Sequence, residues 1–135
     1  MARRAEPRPP PKPAPRPDRV AAFRLGLSAE SRAAMLLLAK AYRIVARRWK
    51  TPFGEVDIVA RRRRTLVFVE VKARDRVDDA LEAVTERSRR RIVAAAEAWL
   101  VRHPGDVDAE IRFDVIVVVP GRMPVHIANA FDATR

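Results

Sequence analysis

Apolar positions change period along the chain. In "AAFRLGLSAESRAAMLLLAKAY", Leu27, Ala34, Leu37, Leu38 and Ala41 recur at helical spacing, so folding begins near Val20 with a helix, and Glu30 falls on the same stripe. "YRIVARRW" reads as a first strand, and "KTPFG" as a turn punctuated by Pro52 and Gly54. A second strand follows over 55–61, and the arginines at 61–64 connect it tightly to a third over 65–72. These two strands should pair as an antiparallel hairpin. A short helix around 78–84 precedes a longer one from about Glu86 to Arg102, stopped by Pro104 and Gly105. The continuous run "IRFDVIVVV" predicts a fully buried strand, and "PVHIANAF" a short edge strand. The order α-β-β-β-α-β, with a further β, predicts an α/β fold: a mixed β-sheet flanked by α-helices.

Three charged residues interrupt this pattern. Asp57 lies inside the second strand, and Glu70 and Lys72 inside the third. Side chains two apart on a strand share a face, so Glu70 and Lys72 point the same way. A tight turn at 61–64 pairs residues whose numbers sum to about 125–127, which sets Asp57 opposite or diagonal to Glu70. Two carboxylates and an ammonium thus converge on one face, and Glu30 would join them if the first helix packs there. A buried ion pair of Lys72 with Glu70 or Asp57 is the structural reading, but such pairs stabilise poorly compared with packed apolar residues. For Glu30, a first-turn carboxylate behind Ser28 as N-cap is the competing explanation. Glu55 alternates with Asp57 and either shares its face or shapes the turn after Gly54.

The chemistry open to such a cluster is limited by composition. The 135 residues suit one domain, here over 21–135. With no cysteine and only His103 and His126, thiolate and histidine metal sites are disfavoured. A metal here would be a hard cation held by oxygen, Mg2+ or Mn2+. The missing cysteines also fit a reducing compartment, and a cytoplasmic location is expected. No apolar run reaches the roughly 18–20 residues that cross a bilayer, so no membrane partner is expected.

A net charge of +11 directs attention to polyanions, nucleic acid first. Arginine outnumbers lysine 24 to 4, the bias of a GC-rich genome, which accounts for part of the charge and makes a lysine at position 72 the more notable. Residues 1–20 hold seven of the eleven prolines and a net +4, and are expected to be a disordered basic tail. Arg61 and Arg62, with the rest of the turn, could follow a phosphate backbone or simply form a solvated hairpin. Trp49 and Trp99 read as packing residues, and His126 as structural.

Asp57 followed by Glu70-Val71-Lys72 resembles the D…(D/E)-x-K signature of restriction-endonuclease-like nucleases. The wider string is more specific. "GLSAE", "GEVDIVA", "LVFVEVKAR", "RFDVIVV" and a terminal "NAF" resemble the YraN-like bacterial family, related to Holliday-junction resolvases, from about Gly26 to Phe131. The resemblance implies a restriction-endonuclease-like core and metal-dependent hydrolysis of phosphodiester bonds in DNA, branched DNA included. Asp57, Glu70, Glu30 and the Val71 position would form the metal site, with Lys72 the catalytic lysine. Arg74 and Arg112 stand at usually basic positions and would hold either a nucleic-acid phosphate or structure. Arg89, Arg90 and Arg91 would contact nucleic acid from a helix whose start shows Ser88 where the family commonly has lysine. A homodimer is expected by the same analogy. The alternative is a non-catalytic nucleic-acid-binding module on a degenerate nuclease fold.

Overall fold

The structure, a computed structural model, describes residues 27–133; the basic tail over 1–20 and the expected start of the first helix near Val20 lie outside the described residues. Helix α1 spans Ala29–Ala39, opened by the Ser28 side chain, which accepts from the Ser31 N–H. Ala41 ends it at a φ of 69°. There the Tyr42 N–H donates to the Leu37 carbonyl at 2.9 Å and the Ala41 N–H to that of Leu38 at 3.0 Å, a Schellman closure. The helix is therefore shorter than its apolar stripe predicts. Leu27 and Ala41 are not helical, Leu38 is exposed, and the buried face is Ala33, Ala34 and Leu37.

Strands β1 (Arg43–Lys50), β2 (Glu55–Arg62) and β3 (Thr65–Ala73) follow as a meander. Helices α2 (Val77–Glu82) and α3 (Glu86–Arg102) lead through a 3-10 turn at Pro104–Asp106 to β4 (Glu110–Val118) and β5 (Val125–Phe131). The expected edge strand thus forms. The five strands lie in chain order in one sheet. All neighbours are antiparallel except β3 and β4, whose parallel pairing needs the crossover that α2 and α3 provide. This is the mixed sheet flanked by helices that the pattern predicts.

Each sheet face buries its own layer. Val56, Val59, Leu66, Phe68, Phe113, Val115 and Val117 pack with Ile92, Ala95, Ala96 and Trp99 of α3. Ile58, Ala60, Val67, Val69, Ile116 and Val118 pack with Ala33, Ala34 and Leu37 of α1 and with Tyr42. Trp49 and Trp99 meet edge to face in the α3 layer, 5.1 Å between centroids, as expected of packing residues.

Gly54 fixes how α3 docks at the start of β2. A Cβ there would lie 1.9 Å from the Arg91 carbonyl oxygen, which belongs to helix backbone and cannot swing aside. Gly54→Ala should therefore lose about 1–3 kcal/mol, the range for overpacking. Chemical denaturation would measure it, and an unchanged midpoint would mean that α3 shifts freely.

Candidate functional site

The β2–β3 ladder runs from Arg62–Thr65 at the turn to Ile58–Val69, each pair summing to 127. By that register Asp57 would face Glu70, but the ladder stops one residue short. Strict alternation also fails at this point. Val56 and Val59 both join the α3 layer, while Ile58 and Ala60 join the α1 layer. Across the gap, the Asp57 carboxylate takes the Val71 N–H at 2.7 Å, replacing a backbone acceptor with a side chain.

Glu70 and Lys72 project together from β3, and their side chains meet at 2.9 Å with exposures of only 14% and 20%. The Lys72–Glu70 ion pair therefore forms. It does not neutralise the neighbourhood of Asp57. Burial pushes the Asp57 carboxyl up to about 6 against the Val71 N–H, with Glu70 and then Glu30 adding to the rise and Lys72 opposing it.

Glu30 lies near this pair without joining it. Its carboxylate accepts from Arg47 Nε at 2.9 Å and from Arg48 Nε at 2.8 Å. Burial opposes its charge, but the hydrogen bonds from Arg48 and Arg47 outweigh that and hold it below the usual range. Glu30, Arg48, Lys50, Glu55, Val56 and Asp57 line one open hollow of about 270 Å³. Among the described residues no group of three or more His, Asp or Glu side chains stands ready to hold a metal. Asp57 shares its hollow with Glu30 and Glu55, whereas Glu70 and Lys72 do not line it and act on Asp57 through their charges.

The arginines are more dispersed. Arg91 pairs with Glu55 at 3.6 Å and Arg90 with Glu86 at 3.8 Å, while Arg89 lies over the Phe131 ring. Ser88 is taken up in the N-terminal cap of α3: its N–H donates to the Thr85 hydroxyl and its own hydroxyl to the Thr85 carbonyl. Arg74, at the end of β3, donates to the Ala73 carbonyl. Arg61 and Arg62 sit at the other end of the hairpin, roughly 13–17 Å from Asp57 at the usual strand rise. Arg61 pairs with Asp106, which also accepts from Trp99 Nε1, and Arg62 stacks on Tyr42. A further hollow of about 600 Å³, walled by α3 and the end of β5, contains none of Asp57, Glu70 and Lys72.

Sequence reasoning did not single out Arg47, Arg48 or Asp114. Asp114 is fully buried in β4 and accepts from Arg112 Nε and Nη2 at 2.8 Å each, from His126 Nε2 at 2.6 Å and from the Asn129 N–H at 2.9 Å. Arg112, open to a phosphate or a structural role by sequence, is engaged in this cluster, and His126 is structural. The signal for Asp114 was available: a carboxylate within an unbroken apolar run, with an arginine two residues earlier on the same face.

Residues 29–118 match the model of the uncharacterised protein family UPF0102. The chain is 56% identical to a UPF0102 protein of Rhodopseudomonas palustris strain BisB18 over 134 residues, 99% of each chain. It is 61% identical to one from strain HaA2 over 120 residues, 89% of this chain and 94% of the relative. It is 58% identical to one from Bradyrhizobium sp. strain BTAi1 over 125 residues, 93% and 91% of the two chains. The family match runs from the first residue of α1 to the last of β4, taking in Glu30, Asp57, Glu70 and Lys72. By that match, the chain belongs to the uncharacterised family UPF0102.

Proposed function

We propose that this chain is a YraN-like member of the restriction-endonuclease-like proteins. It is an endonuclease that uses Mg2+ or Mn2+ to hydrolyse phosphodiester bonds in DNA, branched DNA included. The observation that carries this reading is the opening between β2 and β3, where Asp57 interrupts a strand ladder and keeps a half-buried carboxylate beside Glu70. A fold gains little by desolvating one carboxylate next to another. A hard divalent cation gives the pair a reason.

Asp57, Glu70 and the Val71 carbonyl would hold that cation. An extended residue's N–H and C=O leave on one side of the strand, so the Val71 carbonyl shares the side of the N–H that Asp57 accepts. When bound, the ion supplies a Lewis acid and a water of lowered pKa. Glu70 holds the Lys72 ammonium at 2.9 Å, so Lys72 can orient a water or stabilise charge on a phosphate oxygen. A symmetric pair of copies would address the two equivalent strands of a junction.

The test is cleavage of a labelled four-way DNA junction, with duplex and single-stranded controls, in Mn2+, Mg2+ or chelator. Metal-dependent cutting should fall at least ~10²-fold in Lys72→Ala, the scale for losing one electrostatic stabiliser. Binding without cutting, unchanged in Lys72→Ala, would make the chain a non-catalytic nucleic-acid-binding module.

A further inference from the structure

Neighbouring residues of a strand normally point to opposite faces. Arg47 and Arg48 do not: both guanidiniums close on the single carboxylate of Glu30. The cause is local. Arg48 has a φ of 50°, in the left-handed region that a residue with a Cβ enters only at a cost, and this turns consecutive side chains to one target. Strain of this kind is retained where the surroundings use it.

The arrangement is unbalanced in charge and access. Glu30 is 12% exposed, whereas Arg47 is 44% and Arg48 71% exposed. Two guanidiniums share one carboxylate, so the pair presents a surplus positive charge to solvent. Arg48 also lines the hollow that holds Glu30, Lys50, Glu55 and Asp57, so the exposed guanidinium stands at its edge. Guanidiniums suit phosphate oxygens, which they bind through paired N–H donors.

We infer that Arg47 and Arg48 form a subsite for a phosphodiester group beside Asp57, and that Glu30 occupies it until a phosphate takes its place. The inference rests on the function proposed above and deepens it. Phosphate at the arginines releases Glu30, which already lines the same hollow as Asp57 and can then turn to the cation. Nucleic acid and metal would therefore strengthen each other's binding by equal factors.

The test measures binding alone, on the intact chain. Arg48→Gly removes a guanidinium while relieving the left-handed strain, so it should fold, and Arg47→Gln is the second variant. Arg102→Ala, at the far end of α3, controls for lost charge. In chelator, affinity for a labelled DNA duplex should fall about 5–10-fold in Arg48→Gly and in Arg47→Gln, and less than 2-fold in Arg102→Ala, on the scale of a lost charge-assisted contact. Without DNA, calorimetry should find Mn2+ bound several-fold more tightly by Arg48→Gly than by wild type, and Glu30→Gln should cancel that gain. Equal DNA losses in all three variants, or Mn2+ affinity unmoved by Arg48→Gly, would overturn the inference. If wild type and Arg48→Gly both fail to bind Mn2+ through Asp57, the proposed function itself falls. Mn2+ binding lost in Asp57→Asn but indifferent to Arg48 would leave that function standing and remove only the subsite.

Discussion

Asp114→Ala is expected to destabilise the protein by about 3–5 kcal/mol, the range for breaking a buried charge pair from one side. Four donors converge on this fully buried carboxylate: two from Arg112, one from His126 and the Asn129 N–H. Alanine would leave all four facing a cavity. Asparagine would do little better, since its amide group would turn N–H bonds towards donors. The bulge of β5 between its pairings with Phe113 and Val115 would also lose its anchor at Asn129. Burial works against the charge, but His126, Arg112 and Asn129 outweigh it and hold the Asp114 carboxyl down to about 2. A depressed carboxyl stabilises the fold above its unfolded value and loses that contribution as pH falls through the folded one. The wild type should thus lose roughly 2 kcal/mol between pH 4 and 2 that Asp114→Ala never had. Denaturant unfolding of both proteins across that window measures it. Parallel acid curves would mean that Asp114 is not the group that titrates.

Asp57→Asn should act in the opposite direction, stabilising the metal-free protein by roughly 2–3 kcal/mol at pH 8. The asparagine oxygen can still accept the Val71 N–H, while the charge beside Glu70 and Glu30 is removed. A carboxyl raised to about 6 binds more protons folded than unfolded, so its presence lowers stability as pH rises from about 4 to 6. The gap between variant and wild type should therefore be full above pH 7 and close below pH 4. Melts in chelator across this range would show it. A variant less stable than wild type at pH 8 would make Asp57 a structural ion held by Val71 and Lys72, and would count against the metal site.

These two residues show how far the sequence can be read. A charge inside an apolar strand marks Asp57, Glu70, Lys72 and Asp114 alike. What separates them is the supply of donors, and that depends on strands far apart in the chain. Arg112 shares a strand with Asp114, but Asn129 comes from β5 through a bulge that no period-two pattern contains. The hairpin register was legible because a two-residue turn leaves few alternatives. The failure of the ladder at Asp57 was not, because alternation assumes a regular strand. Left-handed residues are easy to foresee at glycine. Here two of them fall at Ala41 and Arg48, so neither the early end of α1 nor the shared aim of Arg47 and Arg48 leaves a mark in the residue types.

Asn129 shares the left-handed backbone of Arg48, with a φ of 52°, and the two residues lie in β5 and β1, the outer strands of the sheet. An outer strand offers a row of unpaired backbone groups on which another chain can be templated. β1 carries Arg43, Arg47, Arg48 and Lys50 as well as a bulge between Ile44 and Ala46, so an incoming strand would meet repulsion and a broken hydrogen-bond row. β5 has little charge and relies on its bend. The irregularities of the two outer strands thus also work against the templating of a further strand on this sheet.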